Sequence, residues 1–260
     1  MNEKITTLLR EARTVLQTAA EPIDWAARML NNKHGYPPLR LRQQVGDLSD
    51  FEGSSSEYVA YLKLLCNLKS GDSLLDIGCG CGLILADTSG IGGLLECIKP
   101  GSYAGMDINR DAVSWCERHL QGPRCLFIQL PFLDGKRLPG TDCSVDVVLA
   151  KSLFTHLLKE ETISYLEEIK RLLKPGGRCL ATFFLQDDKE FIGKYTFRYR
   201  HKNVSYERDA KPRLAVAYEM NYLSKLIKRL GFSHEVWYGT WRGNGRGLSF
   251  QDIIVMRRQQ

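Results

Sequence analysis

The sequence predicts a doubly wound α/β fold: a mostly parallel seven-stranded sheet with an antiparallel last strand and helices on both faces. Three observations carry that expectation. From Ser73 onward, short apolar runs alternate with helical stretches, the mark of βαβ units. Glycines stand at every second position directly after the first run. The last two apolar runs are too close for a crossover helix, so they must pair antiparallel.

The parallel strands are expected at Ser73–Ile77, Ser102–Met106, Cys125–Gln129, Val145–Ala150 and Arg178–Phe184, with helices at 83–97, 110–120 and 159–173 between them. Lys174-Pro175-Gly176-Gly177 is a turn that stops the third helix and launches a strand. After Phe184 the alternation pauses through residues 185–216 and resumes with a helix near Ala217–Leu230. His234–Thr240 and Ser249–Met256 then form the terminal pair, joined through Trp241–Gly247.

Ahead of the sheet the pattern is helical. Ile5, Leu8, Leu9, Ala12, Val15, Leu16 and Ala19 recur at spacings of three and four. Glu21-Pro22 opens a second short helix through Leu30, since proline suits a first turn. Gly35, Pro37, Pro38 and Gly46 mark an irregular segment, and Ser54–Ser56 precede a helix over 57–68. The expected organisation is a helical cap over 1–56 and one domain over 57–260, with 185–216 inserted in it.

Composition limits the functional classes. The 260 residues are 43% hydrophobic and 25% charged, an ordinary balance for one α/β domain with additions. No apolar run reaches the roughly 18 residues that cross a bilayer, and no signal-peptide core follows Met1, so the expectation is a cytoplasmic protein without a membrane partner. Eight cysteines show neither a CxxC pair nor Cys/His ligand spacing, so no metal is expected. The net charge of +6 is partly local, with Lys189, Lys194, Arg198, Arg200, Lys202, Arg208, Lys211 and Arg213 crowding one stretch. That stretch reads as a solvated face or as a lid for an anionic substrate.

The chemistry concentrates at Asp76-Ile77-Gly78-Cys79-Gly80-Cys81-Gly82, between a strand and a helix. Residues without a Cβ let the backbone pass close to a ligand over the strand end. A second acid, Asp107, ends the next strand, where a carboxylate accepts hydrogen bonds from both ribose hydroxyls of an adenosine. The alternative role for Asp107 is the N-cap of the helix that follows.

On these residues the chain resembles the class I S-adenosylmethionine-dependent methyltransferases. Asp76, Gly78, Gly80 and Gly82 match their first motif, and Asp107 matches their second-strand acid, although the 31-residue separation is longer than usual. Val145–Ala150 resembles their fourth strand, and Leu172–Gly177 their "LKPGG" turn. The resemblance implies S-adenosyl-L-methionine as cofactor, with Ile108 and Lys151 beside it and Asp134 as the contact to the adenine amino group. Asp134-Gly135 reads equally well as a turn. A narrower similarity, on Pro37–Arg40, Ser152–Leu157, Tyr238–Trp241 and Ser249–Ile253, is to bacterial small-molecule or sugar-modifying enzymes.

Methyl transfer to a hydroxyl needs alignment and removal of a proton, and histidine is the usual agent near neutral pH. His156, a few residues past the fourth strand, is the candidate base; its alternative is packing or capping. His34 and His201 are weaker candidates, and His119 and His234 read as structural. Tyr195, Phe197, Tyr199 and Tyr206 interleave with the cations of the insertion, which suits a substrate lid better than a base-stacking surface. The partner expected is therefore a small molecule and not a nucleic acid. An RNA or protein methyltransferase, and a non-catalytic scaffold on the same fold, are the competing readings.

Overall fold

The computed structural model describes residues 19–33, 35–45, 51–85, 93–131, 137–187, 195–243 and 245–260. The helices are α1 (19–30), α2 (Leu39–Arg42), α3 (Phe51–Cys66), α4 (Leu94–Cys97), α5 (Arg110–His119), α6 (Lys159–Leu172) and α7 (Met220–Arg229). The strands are β1 (Ser73–Ile77), β2 (Ser102–Asp107), β3 (Cys125–Gln129), β4 (Val145–Ala150), β5 (Leu173–Gln186), β6 (Tyr199–His201), β7 (Val204–Tyr206), β8 (Val216–Glu219), β9 (Phe232–Trp237) and β10 (Asp252–Arg258).

Strands β3-β2-β1-β4-β5 lie side by side and parallel, with β1 at the point where the chain reverses its direction of winding. β10 pairs antiparallel with both β5 and β9, which completes the seven-stranded sheet read from the sequence. β1 is buried on both faces because helices cover both. One face packs α3 and α5 through Leu62, Cys66, Val113 and Trp115. The other packs α6 and α7 through Leu166, Ile169, Leu223 and Ile227.

Several elements differ from expectation for identifiable reasons. The Pro175-Gly176-Gly177 turn lies inside β5: Leu173 already pairs Val145, and the next paired residue is Arg178 opposite Val147. Gly176 at φ 75° accommodates that bulge. The serine triplet lies within α3, because Phe51, three residues ahead of it, is buried with its ring 5.5 Å from that of Tyr36. The helix expected over 83–97 consists, among the described residues, of a 3-10 turn at Leu83–Leu85 and the single turn α4. The insertion contributes structure: β5 runs on to Gln186, where it pairs with β8, and β8 continues into the β7–β6 hairpin. Phe197, Ala215 and Ala217 are buried there against Phe184 and Trp241.

Two buried ionic clusters tie the additions to the sheet. At the N-terminus Asp24 pairs with both Arg28 and Arg42, while the Glu21 carboxylate accepts from the amides of Leu39 and Arg40. At the start of β10, Asp252 is fully buried and accepts from Leu185 N at 2.7 Å, Gly239 N at 2.7 Å and Trp241 Nε1 at 2.7 Å. Arg242 faces the same carboxylate at 3.4 Å and donates to Leu185 O at 2.6 Å. Among the described residues no helix is long and apolar enough to cross a membrane.

Removing the Asp252 carboxylate strands three buried donors and takes one of its two carboxylate partners from the Arg242 guanidinium, which keeps Asp187 at 3.1 Å. Asp252→Ala should therefore destabilise the protein by about 3–5 kcal/mol, as for breaking other buried pairs. Urea unfolding followed by circular dichroism checks this, and a loss under about 1 kcal/mol would show the cluster to be dispensable.

Candidate active site

The chain leaves β1 through a loop that only glycine tolerates. Gly78, Gly80 and Gly82 sit at φ 82°, 54° and 75°, in the left-handed region. Space is short as well: a Cβ on Gly80 would lie 2.4 Å from Val45 Cγ1, and one on Gly82 2.6 Å from Leu120 Cδ1. The loop is fastened to β2, since Gly78 N and Cys79 N both donate to Met106 O at 2.7 and 3.1 Å.

Asp107 closes the fastening. Its Oδ2 accepts from Gly80 N at 2.7 Å, and its Oδ1 accepts from Asn109 N at 2.7 Å. The N-cap of α5 is Asn109, whose side chain accepts from Asp111 N and Ala112 N, so capping is not the work of Asp107. The carboxylate thus lies across two loops at the mouth of a cavity of about 1180 Å³, where each oxygen retains a further acceptor direction. Asp76, Gly78, Gly80, Ile108, Lys151 and His156 line that cavity with Asp107. Gly82 stands just behind the lining, and Asp134 and His34 lie outside the described residues.

Asp76 is buried beneath the loop and accepts from Tyr103 Oη at 2.9 Å. Burial raises its pKa to about 7; the Tyr103 hydroxyl and the Lys151 cation lower it, and Asp107 adds to the rise. Lys151 Nζ lies 5.1 Å from the centre of the Tyr58 ring. The thiols of Cys79, Cys81 and Cys116 are buried in the core behind the loop, and burial pushes Cys81 up to about 12. Among the described residues no cluster of cysteine, histidine and acids is arranged to hold a metal.

The loop after β4 forms the opposite wall. Ser152 adopts φ 55°, a strained value for a residue with a side chain, and is held there by Ser152 N donating to Thr182 Oγ1 at 2.7 Å. Phe154 is buried and stacks on Phe183 at 4.7 Å, which presents His156 at the surface of the cavity. His156 Nδ1 is 2.9 Å from Arg213 O. A carbonyl only accepts, so Nδ1 carries the proton and Nε2 keeps its lone pair. Arg213, which also lines the cavity, pairs with Glu161 at the start of α6.

The other histidines lie elsewhere. His119 stacks on Trp115 at 4.6 Å, His234 bonds Ser224 Oγ at 2.6 Å, and His201 faces Asp209 at 3.0 Å; none lines the cavity. The sequence reading did not assign Gln43, Gln44, Val45, Tyr58, Ser249, Phe250 or Gln251 to the site, yet all line it. Their signal was present only as similarity in Pro37–Arg40 and Ser249–Ile253, next to them in the chain. The N-terminal segment lies beside the Asp107 loop through Arg40–Asp111 at 3.0 Å and the Asn109 Nδ2 to Gln44 Oε1 hydrogen bond.

A parallel sheet with a glycine loop after β1, an acid ending β2 and an antiparallel β10 has the doubly wound topology, in which ligands bind in the crevice beyond the strand ends at the switch point. Residues 75–181 match the profile of a family described as "Methyltransferase domain". Among curated relatives, a phthiotriol/phenolphthiotriol dimycocerosates methyltransferase of Mycobacterium ulcerans is 31% identical over 150 residues, covering 56% of this chain and 49% of that protein. A fatty-acid O-methyltransferase of Mycolicibacterium smegmatis is 32% identical over 112 residues, 43% of this chain and 37% of its own length. The chain therefore spans half or less of these relatives. Among solved structures, a 1,6-didemethyltoxoflavin-N1-methyltransferase of Burkholderia thailandensis, with S-adenosylhomocysteine bound, shares the fold at TM-score 0.55 and 18% identity, covering 96% of this chain and 90% of that one. A magnesium protoporphyrin IX methyltransferase of Synechocystis, with S-adenosylmethionine bound, does so at 0.52 and 16%, covering 95% and 96%.

The acid beneath the loop predicts a pH dependence. Its folded pKa of about 7 lies above the ordinary 3.8, so between those values the folded state holds more protons than the unfolded state. That contribution to stability is complete below about pH 4 and is lost as pH rises through 7. Asp76→Asn should remove a decline of up to about 4 kcal/mol across that window, read by urea unfolding of ligand-free protein at a series of pH values. Parallel curves for both proteins would refute it.

Proposed function

We propose that the protein transfers the methyl group of S-adenosylmethionine to a hydroxyl oxygen of a small, largely apolar acceptor, with His156 as the general base. The observation that carries this reading is the Nδ1–H to Arg213 O hydrogen bond, which leaves Nε2 basic at the edge of the cavity. When bound, the cofactor supplies an activated methyl group on sulfur, so the chain's own task is alignment and proton removal. Asp107 holds the ribose hydroxyls, and the backbone of Gly78–Gly80 lets the cofactor lie against the end of β1. Asp76 and Lys151 would lie beneath its amino-acid end. A cofactor held by these residues would lie over β1 and β2, leaving the space over β4 and β5 to the acceptor.

The walls of that space are Leu153, Leu157, Tyr195 and Phe250, with Tyr195 and Arg213 supplied by the 185–216 insertion. We assign the insertion as the cover of the acceptor end and the segment before α3 as the cap of the cofactor end. An apolar acceptor agrees with relatives whose names describe dimycocerosate and fatty-acid substrates. A second reading, an RNA acceptor, is favoured by the exposed Arg198, Arg200, Lys202, Arg208 and Lys211. Tritiated methyl transfer to separated lipid, metabolite, RNA and protein fractions decides between them: label in lipid or metabolite supports the first reading, and label in RNA overturns it.

Two variants test the residue roles. Asp107→Ala should weaken binding of S-adenosylhomocysteine by about 1.5–3 kcal/mol in calorimetry, the scale of hydrogen bonds to a charged group. His156→Ala should lower kcat by about 10²–10⁴-fold while leaving that affinity intact. A loss in kcat below about fivefold would return His156 to a structural role.

A further inference from the structure

The acceptor end of the cavity holds a polar relay that the transfer described above does not use. Ser152 N donates to Thr182 Oγ1 at 2.7 Å, which directs the Thr182 hydroxyl proton onto Gln251 Oε1 at 2.6 Å. Ser152 Oγ donates to the same Oε1 at 3.1 Å. A carboxamide oxygen that receives two hydroxyl protons fixes the orientation of its amide, so Nε2 occupies the other side. Gln251 lines the cavity, and among the described residues no group accepts from its Nε2. The backbone is pinned too: Trp241 N donates to Phe250 O at 3.0 Å, and buried Asp252 follows at once. The wall therefore presents two N–H donors whose ordering cost was met on folding.

We propose that the Gln251 carboxamide is the donor that recognises the acceptor, and that the acceptor carries a carbonyl-type oxygen close to the hydroxyl it presents to His156. This deepens the methyl-transfer reading and rests on it. His156 removes a proton and Gln251 offers one, and both flank a single turn of chain, closed by His156 N donating to Leu153 O at 3.1 Å. A simple alcohol satisfies the base but strips water from the amide without replacing it, at the cost of an unpaired donor. A β-hydroxy ester or ketone satisfies both groups. Leu153, Leu157, Tyr195 and Phe250 at that end of the cavity accommodate an apolar remainder.

Gln251→Glu is the discriminating variant. It is isosteric and still accepts from both hydroxyls, so the relay persists, but its donors are gone. The full chain, saturated with S-adenosylhomocysteine, is titrated calorimetrically with methyl 3-hydroxydecanoate and separately with 3-decanol. Wild type should bind the ester about tenfold more tightly than the alcohol, and the variant should bind both alike. Its Tm and its affinity for S-adenosylhomocysteine should match wild type. Gln251→Ala, which adds no charge, should lose the same preference and serves if the glutamate variant does not fold. Failure of wild type to distinguish the ligands, including binding neither, overturns the proposal. So does a preference that survives both variants. An equal fall in S-adenosylhomocysteine affinity would instead assign the amide to the cofactor. Failure of S-adenosylhomocysteine to bind wild type overturns the methyl-transfer reading at an earlier step, and this proposal with it.

Discussion

The site depends on one carboxylate. Asp107 accepts the amides of Gly80 and Asn109, one from each of the two loops that leave β1 and β2. The rest of the glycine loop is tied by its two bonds to Met106 O and by Gly82 N donating to Cys79 O at 3.0 Å, while Asp107 takes the Gly80 amide between them. The same acid would hold a ligand's ribose, so preorganising the loop and binding the ligand draw on the same two oxygens. That coupling explains why an acid belongs at the end of β2 even before any ligand is considered.

The two acids of the site have been given different environments. Asp76 lies inside the sheet end, reaching a phenol and little water, and burial holds its affinity for a proton high. Asp107 is half-buried and accepts from two backbone amides. A negative charge is costly at Asp76 until a cation lies over the loop. The Lys151 ammonium already acts in that direction on Asp76, and a sulfonium or an α-ammonium group would add to it.

Much of this was legible in the sequence, for physical reasons. β1, β3 and β4 were read to the residue because parallel strands are short, mostly apolar runs bounded by turns, even at the edge where β3 lies. Asp76, the glycines, Asp107 and His156 were visible because each stands at a strand end, where the topology sends ligands. What was not legible depends on contacts distant in the chain. β6 and β7 are three residues each, carry arginine, histidine and serine, and persist only because β8 and β5 lie beside them. Gln251 is anonymous in a one-dimensional reading; its role emerges from Ser152 and Thr182, 99 and 69 residues away. Arg42 and Asp24 are likewise ordinary surface residue types until the fold buries them together.

The N-terminal segment is held to the body of the protein along its length. Asp24, Arg28 and Arg42 form an ion-paired cluster, Leu41 is buried in the core, and Arg40 and Gln44 reach Asp111 and Asn109 at the start of α5. Val45 lies directly over Gly80, 2.4 Å from where a Cβ would stand. A side chain at position 80 would have to displace that whole segment and not one valine, so glycine is demanded there twice, by the backbone angle below and by the cap above.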